Sequence, residues 1–147
     1  MGAVVDTTVF IDVEREARRL GVADPVGLIG ASLERWLGPD EEAAMSAITA
    51  SELLHGVHRA TRRYRPRREA FVEAVISIIP VLDFDLLAAR AHARLWAGLA
   101  AEGTDVGAHD RLVAATAISV GWRVATANVR HFDRIPGLEV IEVRAAL

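Results

Sequence analysis

Apolar positions along this chain recur with two different periods, and the switches between them divide it into strands and helices. Ala3-Val4-Val5 is a short apolar run that stops at Asp6-Thr7-Thr8, after which Val9, Phe10, Val13, Ala17 and Leu20 return at helical spacing. The pattern predicts strand, turn, helix, with Thr7 or Thr8 placed to cap the helix. Asp24 before Pro25 reads as an N-cap with proline at the first helical position, and Leu28, Ile29, Leu33, Trp36 and Leu37 line one face until Gly38-Pro39 stops the helix. Ala44-Met45-Ser46-Ala47-Ile48 predicts a second strand, and Thr49-Ala50-Ser51-Glu52 opens a helix carrying Leu53, Leu54, Val57 and His58.

Beyond Pro66 the pattern predicts a helix from about Arg67 to Ser77, a third strand over Ile78 to Leu82, and a long alanine-rich helix from about Asp85 to Glu102. Gly103 to Gly107 reads as a loop. The segment from Asp110 through Ile118 is apolar almost all round, as a helix buried against a sheet must be, and Gly121 ends it. Arg123-Val124-Ala125-Thr126 predicts a fourth strand. Leu138 to Val143 alternates as a fifth would at a half-buried sheet edge. Strands alternating with helices imply an α/β fold, a mostly parallel sheet of about five strands with helices on both faces. No repeat, linker or low-complexity segment interrupts the chain, so residues 1–147 read as one domain.

Composition narrows the chemistry. The chain has no cysteine, which removes disulfides, thiolate nucleophiles and zinc–thiolate sites and fits a cytoplasmic protein. The segment up to Asp6 does not read as a signal peptide, and charged residues interrupt every stretch before it reaches the roughly 18 apolar residues of a membrane span. All 17 positive residues are arginine, which excludes a Walker P-loop and any lysine Schiff base. A net charge of −3 argues against coating nucleic acid by bulk electrostatics. The densest positive patch is Arg59, Arg62, Arg63, Arg65, Arg67 and Arg68 around Tyr64, suited to gripping RNA, to docking an acidic partner, or to forming a solvated corner.

Ligands of an open parallel sheet bind at the carboxyl ends of its strands. Asp6 follows the first strand, Glu52 opens the helix after the second, Thr126 and Asn128 follow the fourth, and Asp110 starts the buried helix. Three carboxylates converging on one edge would repel one another, and a divalent cation resolves that. Oxygen ligands without cysteine suit Mg²⁺ or Mn²⁺ better than zinc. Other roles are open to two of the acids. Thr49-x-x-Glu52 matches a capping box, in which the Glu reaches back to the N-cap amide, and Asp110 also complements a helix dipole. His55, His58, His92, His109 and His131 have no zinc-ligand spacing and read as structural or surface residues.

Four blocks then resemble the PIN-domain toxins of bacterial VapBC toxin–antitoxin pairs. They are Val4 through Ile11, Ser51 through Gly56, His109 through Ala117, and Thr126 through Phe132 with Ile135 to Leu138, in order over nearly the whole chain. The resemblance implies a PIN-like three-layer α/β/α sandwich in which Asp6 and Asp110 coordinate Mg²⁺ and Glu52 completes the acidic site. Thr8 and Asn128 match polar positions bordering that site. The chain departs from the pattern at His131, where many members carry a fourth acid; either nearby Asp133 substitutes or the fourth acid is absent. The implied activity is metal-dependent hydrolysis of RNA phosphodiester bonds, with a VapB-like antitoxin as partner. A homodimer fits too, with Trp36, Trp96 and apolar helix faces offering surface. The competing readings are a catalytically inactive PIN-like binding module and a phosphohydrolase forming an aspartyl-phosphate at Asp6, the latter disfavoured because Thr8 stands where a second Asp is wanted and the chain lacks lysine.

Overall fold

The computed structural model describes residues 1–144. Five parallel strands form one sheet in the order β3-β2-β1-β4-β5: β1 (Gly2–Val5), β2 (Glu42–Ser46), β3 (Val81–Leu82), β4 (Arg123–Thr126) and β5 (Val140–Glu142). Val4 lies between Ala44 on one side and Val124 on the other, so the first strand is central. Both edge strands are very short, which limits the backbone they expose for pairing with another chain.

Side-chain alternation divides the interior into two layers. Ala3, Val5 and Ala125 face helices α1 (Thr7–Leu20), α2 (Pro25–Leu37), α3 (Ala47–Arg59) and α4 (Arg65–Ile78), through Val9, Phe10, Val13, Ile29, Leu53, Val57, Phe71, Val72 and Val75. Val4 and Val124 face α5 (Leu86–Ala101) and α6 (Ala108–Val120), through Leu99, Val113, Ala114 and Ala117, with Phe132 and Ile135 closing the layer. Helices therefore cover both faces, the three-layer arrangement expected of the strand and helix order. Asp24 caps α2 by accepting from the Val26 amide at 3.0 Å, as the sequence predicts, and Asp85 caps α5 through Ala88 at 2.9 Å.

Several boundaries differ from those the pattern predicts. The second strand ends at Ser46, and Ala47 and Ile48 already belong to α3. The Ser46 hydroxyl accepts from the Thr49 amide at 3.1 Å and caps that helix, so the Thr49-x-x-Glu52 capping box does not form. Ile78 completes α4, leaving only Val81 and Leu82 for the third strand. Neither Thr7 nor Thr8 caps α1; Asp6 occupies the N-cap position without a side-chain cap bond, and both hydroxyls turn elsewhere. Trp36 is only partly exposed, because it packs against the first core layer, whereas Trp96 is 54% exposed with the Arg111 guanidinium over its ring. The arginine corner is partly tied down: Arg65 donates to the Ala60 carbonyl at 3.0 Å and Arg68 to Glu14 at 3.2 Å. No helix among the described residues is long and apolar enough to cross a membrane.

Candidate active site

The chain leaves β1 for the β2 side of the sheet and later returns to β4 on the other side of β1. The crevice beyond the carboxyl ends of β1 and β4 is thus the point where strand order reverses, the usual place for a ligand in an open α/β sheet. Asp6 stands there, 4% exposed, as β1 passes into α1. A buried carboxylate needs donors, and two hydroxyls supply them. Thr8 donates to Asp6 Oδ2 at 2.8 Å and Thr126, from the end of β4, donates to the same oxygen at 2.9 Å. Thr8 Oγ1 in turn accepts from the Ala127 amide at 3.1 Å, and Thr126 Oγ1 accepts from the Asn128 amide at 3.0 Å. The start of α1 and the end of β4 are thereby stitched around one carboxylate.

Glu52, freed from any capping duty, lies in the second turn of α3. Its Oε1 accepts from the Thr7 hydroxyl at 2.8 Å, and its Oε2 is 3.5 Å from His109 Nδ1. Asp110 is the third residue of α6, with Val113, Ala114 and Ala117 on the core side as the sequence predicts. Its Oδ2 is 3.2 Å from His131 Nδ1. Burial pushes the Asp110 carboxyl above its ordinary pKa; His131 pulls it back, Asp6 and Glu52 push it further up, and His109 pulls it down. The three predicted acids are therefore close enough to repel. Among the described residues, however, no three Asp, Glu or His side chains close onto one point as a ready-made metal cage.

Two histidines that the sequence places on the surface or in structural roles belong to this site instead: His109 against Glu52, and His131 against Asp110. Their partners come from distant elements, so no local spacing could reveal them. Asn128 joins through its Nδ2, 2.9 Å from His131 Nε2. Asp133 does not join: its side chain is exposed, and it is absent from the charges acting on Asp110. His131, and not Asp133, fills the space beside Asp110.

The donor set fits a hard divalent cation, being carboxylate oxygens with no sulfur in the chain. A local cradle supports the fit. A Cβ on Gly107 would stand 3.2 Å from Asp110 Oδ2, so glycine at this helix start leaves the whole carboxylate room.

An α/β sheet with buried Asp6 at its switch point and Glu52 and Asp110 beside it makes an α/β domain with an acidic crevice, and the chain belongs to the PIN-domain family, whose model matches residues 3–138. Its relatives there are VapC ribonucleases. It is 35% identical to ribonuclease VapC1 of Rickettsia felis over 144 residues, 97% of each chain. It is 42% identical to the tRNA(fMet)-specific endonuclease VapC of Salmonella typhimurium over 97 residues, 65% of this chain and 71% of that one. Among solved structures it is similar to VapBC of Salmonella typhimurium bound to DNA, with a TM-score of 0.78, 30% identity and coverage of 98% of this chain and 99% of that chain. VapBC-5 of Mycobacterium tuberculosis matches with a TM-score of 0.72 and 32% identity, over 97% and 98% of the two chains.

Proposed function

We propose that this chain is a cytoplasmic Mg²⁺-dependent endoribonuclease, the toxin of a VapBC-type toxin–antitoxin pair, in which Mn²⁺ can replace Mg²⁺ and a small VapB-like antitoxin is the partner. The observation that carries the reading is the convergence of Asp6, Glu52 and Asp110, from three separate elements, on the switch point of a PIN fold. The ribonuclease names of its relatives support the activity, and the VapBC assemblies among its structural neighbours support the antitoxin.

Asp6 and Asp110 would hold the ion, which when bound lowers the pKa of a coordinated water and offsets charge developing on the scissile phosphate. The residues around them fix the geometry beforehand. Thr8 and Thr126 immobilise Asp6 by one oxygen, so its carboxylate cannot swing away as substrate enters. Glu52 is held at Oε1 by Thr7 and flanked at Oε2 by His109, which places a proton acceptor at the mouth of the crevice to orient the attacking water. Such positioning accounts for much of the rate in phosphoryl chemistry.

The test is cleavage of a mixed RNA panel with added Mg²⁺. Asp110→Asn should abolish cutting while its circular dichroism matches the parent's, because an amide has nearly the same shape and is a poorer ligand. Cutting by Asp110→Asn at the parent rate would overturn the assignment.

A further inference from the structure

Between Asn128 and Asp110 stands an imidazole with a partner on each ring nitrogen. Asn128 Nδ2 lies 2.9 Å from His131 Nε2, and Asp110 Oδ2 lies 3.2 Å from His131 Nδ1. An amide nitrogen has only hydrogens to offer, so the ring nitrogen facing it must present its lone pair. A carboxylate has only lone pairs to offer, so the ring nitrogen facing it must carry the hydrogen. With the amide nitrogen facing Nε2, both ends suit the tautomer that carries its hydrogen on Nδ1. The backbone keeps the pieces in place, because Asn128 and His131 bracket a 3₁₀ turn closed by the His131 amide on the Asn128 carbonyl at 3.1 Å. The Asn128 amide is itself anchored to Thr126 Oγ1, one of the two hydroxyls on Asp6.

We propose that His131 is a positioning residue: as the Nδ1–H tautomer, set by Asn128 and Asp110 together, it holds Asp110 by one carboxylate oxygen and leaves the other for the cation. The chain Asn128 Nδ2–H to Nε2, then Nδ1–H to Oδ2, joins the end of β4 to the start of α6, and Thr126 links the same segment to Asp6. Asp6 and Asp110 are thus oriented from one strand end. A neutral donor does this without a further negative charge, whereas an acid at position 131 would add to the repulsion already acting among three carboxylates. Hydrogen-bonded partners of this kind orient ligating carboxylates, and their loss typically weakens metal binding tenfold or more. The inference rests on the metal reading above only for its consequence; the tautomer is a property of the metal-free protein.

Two measurements test it. In ¹⁵N-edited NMR of the metal-free protein, at a pH where the ring is uncharged, the His131 hydrogen should sit on Nδ1. Hydrogen on Nε2 in the parent, or on both nitrogens at that pH, would overturn the proposal. In calorimetric titrations with Mn²⁺, His131→Ala and His131→Gln should weaken binding about tenfold or more. His131→Asn, whose amide occupies the position of Nδ1, should retain the parent affinity. Equal loss in all three variants, or no loss in any, would also overturn it. A parent that binds no Mn²⁺ would sink the metal reading instead, and the NMR measurement would still decide the tautomer.

Discussion

Thr126 and Asp6 are 120 positions apart in the chain and joined by a 2.9 Å hydrogen bond, the hydroxyl of one donating to the buried carboxylate of the other. Replacing Thr126 with Val keeps the shape and removes a donor from a buried anion. A hydrogen bond to a charged group contributes about 1.5–3 kcal/mol, so Thr126→Val should lose about that much stability in urea denaturation. It should also bind Mg²⁺ more weakly, because Asp6 then rests on Thr8 alone.

The start of α3 separates the residue that caps the helix from the acid proposed to orient water. Ser46→Ala removes the cap that accepts from the Thr49 amide and should cost about 1 kcal/mol. Glu52→Gln should leave the stability of that helix start unchanged and lower RNA cleavage. If Glu52→Gln cost as much stability as Ser46→Ala, Glu52 would be the capping residue after all.

This correction shows where sequence patterns lose resolution. Asp6 was readable because a carboxylate directly after an apolar strand needs a partner, and Asp110 because Val113, Ala114 and Ala117 define its helix face. Glu52 was readable as a residue but ambiguous as a role. The apolar run Ala44 to Ile48 has no period that marks where strand becomes helix, and a boundary placed two residues late turned Thr49 into a false cap. Ile78 and Ile79 posed the same problem at the end of α4. The contacts of His109 and His131 are hidden for another reason: the resemblance marks the position of His131, but each finds its acid across the fold, and a lone histidine carries no signal of a partner that tertiary packing brings.

Gly107 offers a substitution that crowds Asp110 without replacing it. Its backbone angle of φ −54° suits any residue, so alanine there carries no conformational strain. The added Cβ would nonetheless meet Asp110 Oδ2 at 3.2 Å and displace the carboxylate by a few tenths of an ångström. Gly107→Ala should therefore keep the parent's melting temperature to within a few degrees while weakening Mn²⁺ binding, measured by calorimetry.

The raised pKa of Asp110 sets the sign of a stability effect. The folded state favours the protonated carboxyl, so its contribution to stability falls as pH rises from the ordinary value of 3.8 through the raised one. At neutral pH the ionised group weakens the metal-free fold, and Asp110→Asn should melt above the parent when both are treated with chelator. Mg²⁺ should reverse the order. At a hundred times its dissociation constant it would stabilise the parent by about 2.7 kcal/mol, and most of that gain should be missing from the variant.

A second pH effect lies away from the acids. His92 packs against Phe84 and Trp96, and burial together with the nearby Arg111 holds its pKa below the ordinary 6.5. The unfolded chain therefore takes up a proton there before the folded one does. Stability should be intact above 6.5 and decline as pH falls through that value towards the lowered one. Comparing melting temperatures at about pH 8 and about pH 5, His92→Gln should show a smaller drop than the parent.

The two hydroxyls on Asp6 have a consequence for the timing of synthesis. Thr8 is present in the first stretch of chain to be made, but Thr126 arrives only after both cores have their helices, and the closing loop between it and Asp6 is among the longest the fold contains. A nascent chain carries its acids early yet cannot arrange them until β4 has paired with β1. The acid that opens α1 is thus held by a residue made near the end of synthesis, and its full set of hydrogen bonds is among the last contacts the chain can close.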